Sequence, residues 1–345
     1  MKTLNIDIEI LDFLRGRKNL LAFSHGSDST ALFYTLLNLG VKFDCAFVNY
    51  KTRKQSNEEE ASAKKLCEKF GVNLFIKTAS LDLQNSSNFE NQARKIRYEF
   101  FDEIAVKFGF NTLITAHQLN DKFEWFLMQL GRGAGLANLL GFEKIENRTN
   151  FTLVRPFYDI SKTQILEFLS ENKIKFFNDI SNENTKFARN AVRAEFSDKF
   201  VEKYALNLAK SFEFLSLDKA NLMGEFIYQK DKFFVLENSQ KSLNLIDKAC
   251  KILGVVLSQN QRKEIQKTDC VISGKICVCK NEKFYFVAPF EKTKMDKKFK
   301  EKCRILKIPP LIRPYIFARS EILAECEGLI SGLNHSDFVD KIGEI

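Results

Sequence analysis

Residues 20–34 read LLAFSHGSDSTALFY. An apolar run stops at Ser24, passes through a loop of small residues and restarts behind Asp28, Ser29 and Thr30. This is the pattern of a buried strand, a tight turn and a helix start. N–H groups in the first turn of a helix are unpaired and carry partial positive charge, so they bind phosphate without needing a side chain. Small residues let the backbone curl around an anion, and Ser24, Ser27, Ser29 and Thr30 add hydroxyl donors. The loop has neither the lysine of the Walker A motif nor the spacing of the Rossmann glycines. Asp28 would repel a phosphate unless a cation such as Mg2+ lay between them, which makes Asp28 the expected metal contact. An ordinary helix start capped by Ser27 or Asp28 fits the same residues.

The surrounding sequence sets the architecture. NLLAFS, FDCAFVNY, VNLFIK and NTLITAH are short apolar runs, and patterns of helical period follow each of them. Such alternation predicts an α/β domain with a mostly parallel sheet and right-handed crossovers. Ligands of such sheets bind at the carboxyl ends of the strands, so the residues after Phe23, Val48 and Thr115 are the places to look for chemistry. One more strand-and-helix unit follows at LVRPFYDISKTQILEFLSENKI, and NENTKFARNAVRAEF opens a long helical stretch. Beyond Phe200 the pattern reads as helix-rich to Lys267. Short β-like runs at CVISGKICVCK and KFYFVAP come next, then a basic segment. The expected division is therefore 1–200 for the α/β domain, 201–290 for a mainly helical domain and 291–345 for a small basic α+β module.

A chain of 345 residues exceeds a single ordinary core, so several domains are expected. Lys and Arg outnumber Asp and Glu by 53 to 44, a surplus that favours a polyanionic partner, nucleic acid above all. Most of it lies between Glu291 and Ser320, where ten basic residues stand against three acidic ones. The 34 phenylalanines are read as core packing rather than base stacking. Eight cysteines are scattered with no C-x-x-C pair, which argues against a metal or disulfide framework. The start MKTLNIDIEI carries no signal-peptide pattern and no apolar run is long enough to span a membrane, so a cytoplasmic protein with reduced thiols is expected.

SHGSDS resembles the S-G-G-x-D-S signature of the N-type ATP pyrophosphatases, with His25 in place of a glycine. The other motifs narrow the resemblance to the tRNA(Ile)-lysidine synthase family. They are VNYKTRKQS (48–56), FENQARKIRYEFF (89–101), AHQLNDKFEWFLMQLGRGAGLANLLGF (116–142), RPF at Arg155 and NDISNENTKFARNAVR (178–193). The C-terminal ILKIPPLIRPYIFARSEILA is similar to a shortened form of that family's terminal domain. The resemblance implies a PP-loop ATP site made by Ser24, His25, Gly26, Ser27, Asp28 and Ser29, with ATP as substrate and Mg2+ at Asp28.

Read from the residues, Asp121 and Glu124 lie three apart on one side of a helix, either as a solvated acidic face or as a patch suited to an ammonium. The resemblance makes them the site for free L-lysine. It also places His117 in the nucleotide pocket as an orienting or charge-stabilising group. Arg94, Arg189 and Arg193 would neutralise phosphate or charge on an adenylated intermediate, and Arg132 belongs to a substrate-contacting glycine-rich turn. Lys297, Lys298 and Lys300 head the basic segment that would track the backbone of tRNA(Ile) with a CAU anticodon. Asp28, His117, Asp121, Glu124 and Arg189 are thus the expected catalytic set. No membrane partner is expected, and a homodimer is among the assemblies allowed. Two rivals stay open: a tRNA thiolase, which would need reactive or cluster-binding cysteines, and a tRNA-binding protein whose adenylation site has decayed at His25.

Overall fold

The computed structural model describes residues 3–51, 55–79, 89–177, 191–319, 321–325 and 327–328. It divides into two compact units, Met1–Ser216 and Leu217–Ile345.

In the first unit, α1 (Ile8–Leu14) precedes β1 (Asn19–Ala22), and α2 (Ser27–Asn38) leads to β2 (Phe43–Asn49). Next come α3 (Gln55–Phe70), β3 (Leu74–Thr78), α4 (Phe89–Phe108), β4 (Thr112–Ile114) and α5 (Leu119–Leu130). After the single turn α6 (Leu136–Leu139) come β5 (Ile145–Asn147), β6 (Thr152–Val154) and α7 (Lys162–Glu171). A π-helical turn, Arg193–Ser197, opens α8 (Asp198–Met223). The strands form one sheet in the order β3-β2-β1-β4-β6-β5, parallel throughout except for β5, which pairs antiparallel with β6.

The strands are apolar on both sides because helices cover both sides. Leu21, Cys45, Ile114 and Val154 pack into a core with α1, α2, α3 and α7. Their strand neighbours Leu20, Ala46, Leu113 and Leu153 point the other way, onto Phe100, Phe101, Ile104 and Ala105 of α4. The α/β architecture was legible in the sequence from the regular succession of continuous apolar runs and helical patterns, not from alternation within a strand. The antiparallel edge strand β5 was not expected. With three residues it is too short to show alternation.

The second unit departs from the expected division. It holds β7 (Tyr228–Lys230), β8 (Phe233–Glu237), α9 (Ser242–Ile252), α10 (Gln259–Lys267), β9 (Cys270–Ile272), β10 (Ile276–Lys280), β11 (Phe284–Pro289), α11 (Lys297–Ile305) and α12 (Arg313–Phe317). The strands make an antiparallel sheet in the order β7-β8-β11-β10-β9. One face (Phe234, Leu236, Val278, Tyr285, Val287) packs on α9 and α10. The other (Phe233, Val235, Cys277, Cys279, Phe286) packs on Cys303, Ile312 and Ile316 of the basic segment and its helices. A boundary at residue 290 would cut this second core in half, so 217–290 and the basic segment are one α/β/α sandwich. Within 201–290 helices do hold more residues than strands, but the stretch read as helix-rich to Lys267 also contains the strands β7 and β8. FFVLE at 233–237 is buried on both faces, and a short run without alternation resembles helix core as readily as strand.

Candidate active site

The sheet order reverses at β1: α2 carries the chain to β2 on one side, while β4 lies on the other. The crevice beyond the carboxyl ends of β1 and β4 is the topological switch point where such sheets take ligands. Residues 24–29 enter it from β1 and residues 115–121 from β4.

Hydroxyls knit the first loop. Ser24 Oγ and Ser29 Oγ lie 3.0 Å apart, Ser29 Oγ accepts from the Ser24 N–H at 3.2 Å, and Ser29 Oγ donates to Gly26 O at 3.3 Å. Gly26 is the N-cap of α2, and no side chain caps the helix. The fold does not exclude one: a Cβ on Gly26 would lie 3.5 Å from Ser24 Oγ and 3.9 Å from Phe177 O, ordinary contacts. The first-turn N–H groups of α2 are thus left for an anion.

His25, counted among the ATP-site residues, does not bring its ring to the loop. Its ring is buried and turned away, 5.2 Å from the Phe23 ring and 5.2 Å from the Phe177 ring. Nδ1 lies 3.3 Å from Thr30 Oγ1, and Nε2 lies 3.0 Å from Ser62 Oγ of α3. Its φ of 60° is left-handed, which costs a non-glycine residue about 1–2 kcal/mol. Two hydrogen bonds at roughly 0.5–1.5 kcal/mol each, with the ring contacts, offset that cost. Burial lowers the pKa, leaving a neutral imidazole, one donor and one acceptor, between two hydroxyls. Only the backbone of His25 belongs to the loop, and its carbonyl accepts from Phe177 N–H at 3.0 Å.

Asp28 has a partner that the sequence reading missed. Lys162 Nζ donates to Ser27 Oγ at 2.6 Å and to the Asp28 carboxylate. Burial pushes the Asp28 carboxyl up, Lys162 opposes the shift, and Asp121 and Arg193 are close enough to act on it with opposite signs. Lys162 opens α7 behind the N-cap Ser161, whose capping box with Gln164 fixes the helix start. The capping residues S-K-T-Q after an expected strand were the available signal.

On the second strand end, Gln118 caps α5. Its side chain accepts from Asn120 N–H at 2.5 Å, and Asp121 Oδ2 accepts from the Gln118 N–H at 3.2 Å. Asp121 and Glu124 do lie on one side of the helix, but not as a solvated acidic face. Glu124 is 1% exposed. Arg193 bridges the two, with Nη2 2.9 Å from Asp121 Oδ1 and Nε 2.8 Å from Glu124 Oε2. Burial pulls the Arg193 pKa down, but Asp121 and Glu124 outweigh it and hold the guanidinium charged. His117 sits with Nδ1 2.9 Å from Thr115 Oγ1. Burial lowers its pKa to about 4, opposed by Asp121 and aided by Arg155, Arg94 and Arg97. It is therefore a neutral hydrogen-bonding group near pH 7 and not a positive charge.

A second missed residue, Asn120, joins these parts. Its Oδ1 accepts from Lys162 N–H at 3.0 Å, its Nδ2 donates to Asp198 Oδ1 at 2.7 Å, and its carbonyl accepts from Ser197 Oγ at 3.2 Å. Behind it, Lys122 is buried with Nζ 3.5 Å from the Tyr158 ring centroid and 4.2 Å from that of Phe212.

The remaining expected residues are more spread out. Arg94 is exposed on α4, over the Tyr98 ring, and lines a cavity of about 420 Å³ with Asp102, Arg148 and Phe151. Arg132 is exposed on the turn after α5, a 12-residue helix whose length, about 1.5 Å per residue, separates it from Asp121. Lys297, Lys298 and Lys300 are exposed on α11 in the second unit. Arg189, with Asp179 and Asn182, lies outside the described residues. Arg155 is buried against Glu143 O at 2.6 Å and Glu146 at 3.0 Å, where it ties down the β5 edge. All seven described cysteines are buried. Desolvation pushes Cys250 and Cys277 up to about 12 and Cys270 up to about 11, the state of inert thiols.

Comparison with known proteins identifies the family. The family model of the PP-loop domain matches residues 3–200. The tRNA(Ile)-lysidine synthase of Campylobacter jejuni is 46% identical over 316 residues, covering 91% of this chain and 97% of that protein. The chain belongs to the tRNA(Ile)-lysidine synthase family. Proteins of the same name from Wolinella succinogenes and Helicobacter pylori are 40% and 38% identical, with 96% and 92% of their lengths covered. Among solved structures, a U34-tRNA thiolase of Methanococcus maripaludis with its 4Fe-4S cluster matches with a TM-score of 0.50 at 14% identity, covering 73% of this chain and 87% of that one. That likeness shows the shared fold alone. Among the described residues, no helix is long and apolar enough to cross a membrane.

Proposed function

We propose that the chain is an ATP-dependent ligase that forms lysidine on tRNA(Ile) with a CAU anticodon. Oxygen 2 of the wobble cytosine attacks the α-phosphate of ATP and pyrophosphate leaves. The ε-amine of free lysine then attacks carbon 2 and AMP leaves with that oxygen. The tRNA thereby changes from reading AUG as Met to reading AUA as Ile, a reaction of the cytoplasm. The observation that carries this reading is the pairing of two half-sites in one crevice. An uncapped helix start with Asp28 faces the nucleotide, and Asp121, which Arg193 bridges to Glu124, lies close enough to act on Asp28.

The loop amides and Ser24, Ser27 and Ser29 hold the phosphates. The donor set suits Mg2+, which binds through one or two carboxylates plus substrate phosphates and water. Asp28 is the carboxylate at the loop, and among the described residues no group of three or more His, Cys, Asp or Glu is placed to hold a metal alone. When bound, the ion neutralises charge on the phosphates. Asp121 and Glu124 hold the ammonium of lysine and take its proton, with Arg193 occupying the pair until lysine arrives. Neutral His117 orients the nucleotide by hydrogen bonding, Arg94 and Arg189 balance charge on the adenylated base, and Arg132 contacts substrate. The target base leaves the anticodon stack to reach the crevice. Lys297, Lys298 and Lys300 contact tRNA phosphates. Reversing all three charges should weaken tRNA binding and reduce the slope of log affinity against log salt by roughly 2 to 3.

The test is incubation of the full chain with ATP, Mg2+, labelled lysine and a CAU-anticodon tRNA(Ile) transcript. Label in the tRNA and stoichiometric AMP are expected. Folded protein that binds the tRNA but transfers no label would end this reading, and absence of pyrophosphate release as well would favour a pure binder.

A further inference from the structure

The phosphate loop has no lysine of its own, yet a polyanionic triphosphate beside Asp28 requires positive charge that amide dipoles supply only in part. We infer that Lys162, 134 residues further along the chain, is the phosphate-binding cation of this loop: its ammonium is stored on Asp28 and Ser27 in the free protein and contacts the triphosphate when ATP binds. The inference rests on the ATP-using reading above and extends it to a residue outside its motifs.

Three observations carry it. The ammonium lies on Ser27 Oγ at 2.6 Å and on the Asp28 carboxylate, the first two residues of the helix whose N–H groups have no side-chain cap. The backbone of Lys162 is fixed with care. Its N–H donates to Asn120 at 3.0 Å, the preceding Ile160 carbonyl accepts from Leu119 N–H at 2.9 Å, and Ser161 caps the helix. The side chain, by contrast, is 31% exposed and that of Asp28 30%, so the ammonium reaches a ligand in the crevice by rotating its own flexible stem.

A purely structural role does not account for this placement. The pair is partly open to solvent on both sides, and α7 is held independently of it by Ile165, Phe168 and Leu169 in the same core as Phe33 of α2. The apolar packing of α7 on α2 does not require an ammonium at the mouth of the loop, and that position is what remains to be explained. Because Lys162 hangs from Asn120 on α5, the same bond also ties the nucleotide half-site to the start of the helix that carries Asp121 and Glu124.

The test compares wild type with Lys162→Met and Lys162→Arg by equilibrium competition against a fluorescent ATP analogue, alongside steady-state lysine transfer. Lys162→Met is expected to weaken ATP and inorganic pyrophosphate by about 10- to 100-fold, the range of a lost charge-assisted hydrogen bond. Adenosine, which has no phosphate, should compete as it does with wild type, KM for lysine should stay within about twofold, and Lys162→Arg should recover part of the loss. Unchanged ATP and pyrophosphate affinity in Lys162→Met would overturn the inference while wild-type lysine transfer leaves the proposed function standing. Equal losses for adenosine and pyrophosphate would also overturn it, by showing a structural tether. A wild-type protein without lysine transfer would instead defeat the functional reading.

Discussion

Two helices start at the same edge of the same sheet, and they start differently. At α5, Gln118 and Asp121 close the first turn with side-chain hydrogen bonds, and Asp121 is thereby locked in place before any ligand arrives. At α2, Gly26 occupies the cap position with no side-chain bond, although there is room for one. A capped start satisfies first-turn amides with its own side chains and fixes its carboxylate, whereas an uncapped start leaves its amides for an anion. The difference is consistent with the proposed placement of the nucleotide at α2 and of the amine at α5.

The largest effect should come from the acidic residue that α2 carries. Asp28→Ala is expected to lower AMP formation at least about 10³-fold, the scale of losing a metal contact or an electrostatic stabiliser at a phosphoryl centre. Affinity for tRNA should be nearly unchanged in a filter-binding titration. Substantial adenylation by this variant would remove α2 from the chemistry. On α5, Glu124→Gln removes a buried charge while keeping the shape, and the KM for lysine should rise about 10- to 100-fold with the KM for ATP unchanged. The reverse pattern, a raised KM for ATP only, would exchange the assignments of the two helices.

How much of this was legible in advance follows from the range of the interactions. The parallel sheet, its switch point and the loop at residues 24–29 were readable because each depends on local period and on small residues in a row. Asp121 and Glu124 were placed together correctly by their spacing, a one-turn relation. Their bridging by Arg193, 72 residues from Asp121, was not readable from spacing, nor was Lys162 at the loop mouth, because each is brought in by tertiary packing. His25 was misjudged for the opposite reason. Its neighbours in sequence are loop residues, but its ring partners Phe177 and Ser62 come from distant segments and draw it inward. In the second unit, FFVLE at β8 was lost because burial on both faces erased its alternation.

Acidity provides a milder test. Burial lowers the pKa of His117 to about 4, and that of His25 in the same direction, against about 6.5 in the unfolded chain. Below pH 6.5 the unfolded state therefore binds protons that the folded state refuses. Both histidines contribute stability that is complete above pH 6.5 and is lost as pH falls toward 4, at most about 3 kcal/mol for His117. Urea midpoints measured from pH 7.5 to 4.5 should fall, and His117→Gln should flatten that fall. Because the raised Asp28 carboxyl acts in the opposite direction, the decisive comparison is between the two proteins: a fall as steep in His117→Gln as in wild type would mean that His117 does not carry it.

The smallest change bears most directly on the comparison, because it makes α2 start as α5 does. Gly26→Ser adds a side chain where its Cβ meets only ordinary contacts, at φ −76° and ψ 169°, dihedrals that any residue adopts and that suit a capping serine. The hydroxyl would bond to a first-turn N–H of α2 and compete with phosphate for it. In the free protein a serine cap in place of glycine is worth a few tenths of a kcal/mol, so the thermal midpoint should stay level or rise slightly. ATP should then bind several-fold more weakly, since one donor is already occupied, while KM for lysine stays fixed. A stabilised protein with poorer ATP binding is a combination that a packing fault cannot produce. If ATP affinity were unaffected, the missing cap at Gly26 would have no bearing on the ligand, and the contrast between the two helix starts would lose its meaning.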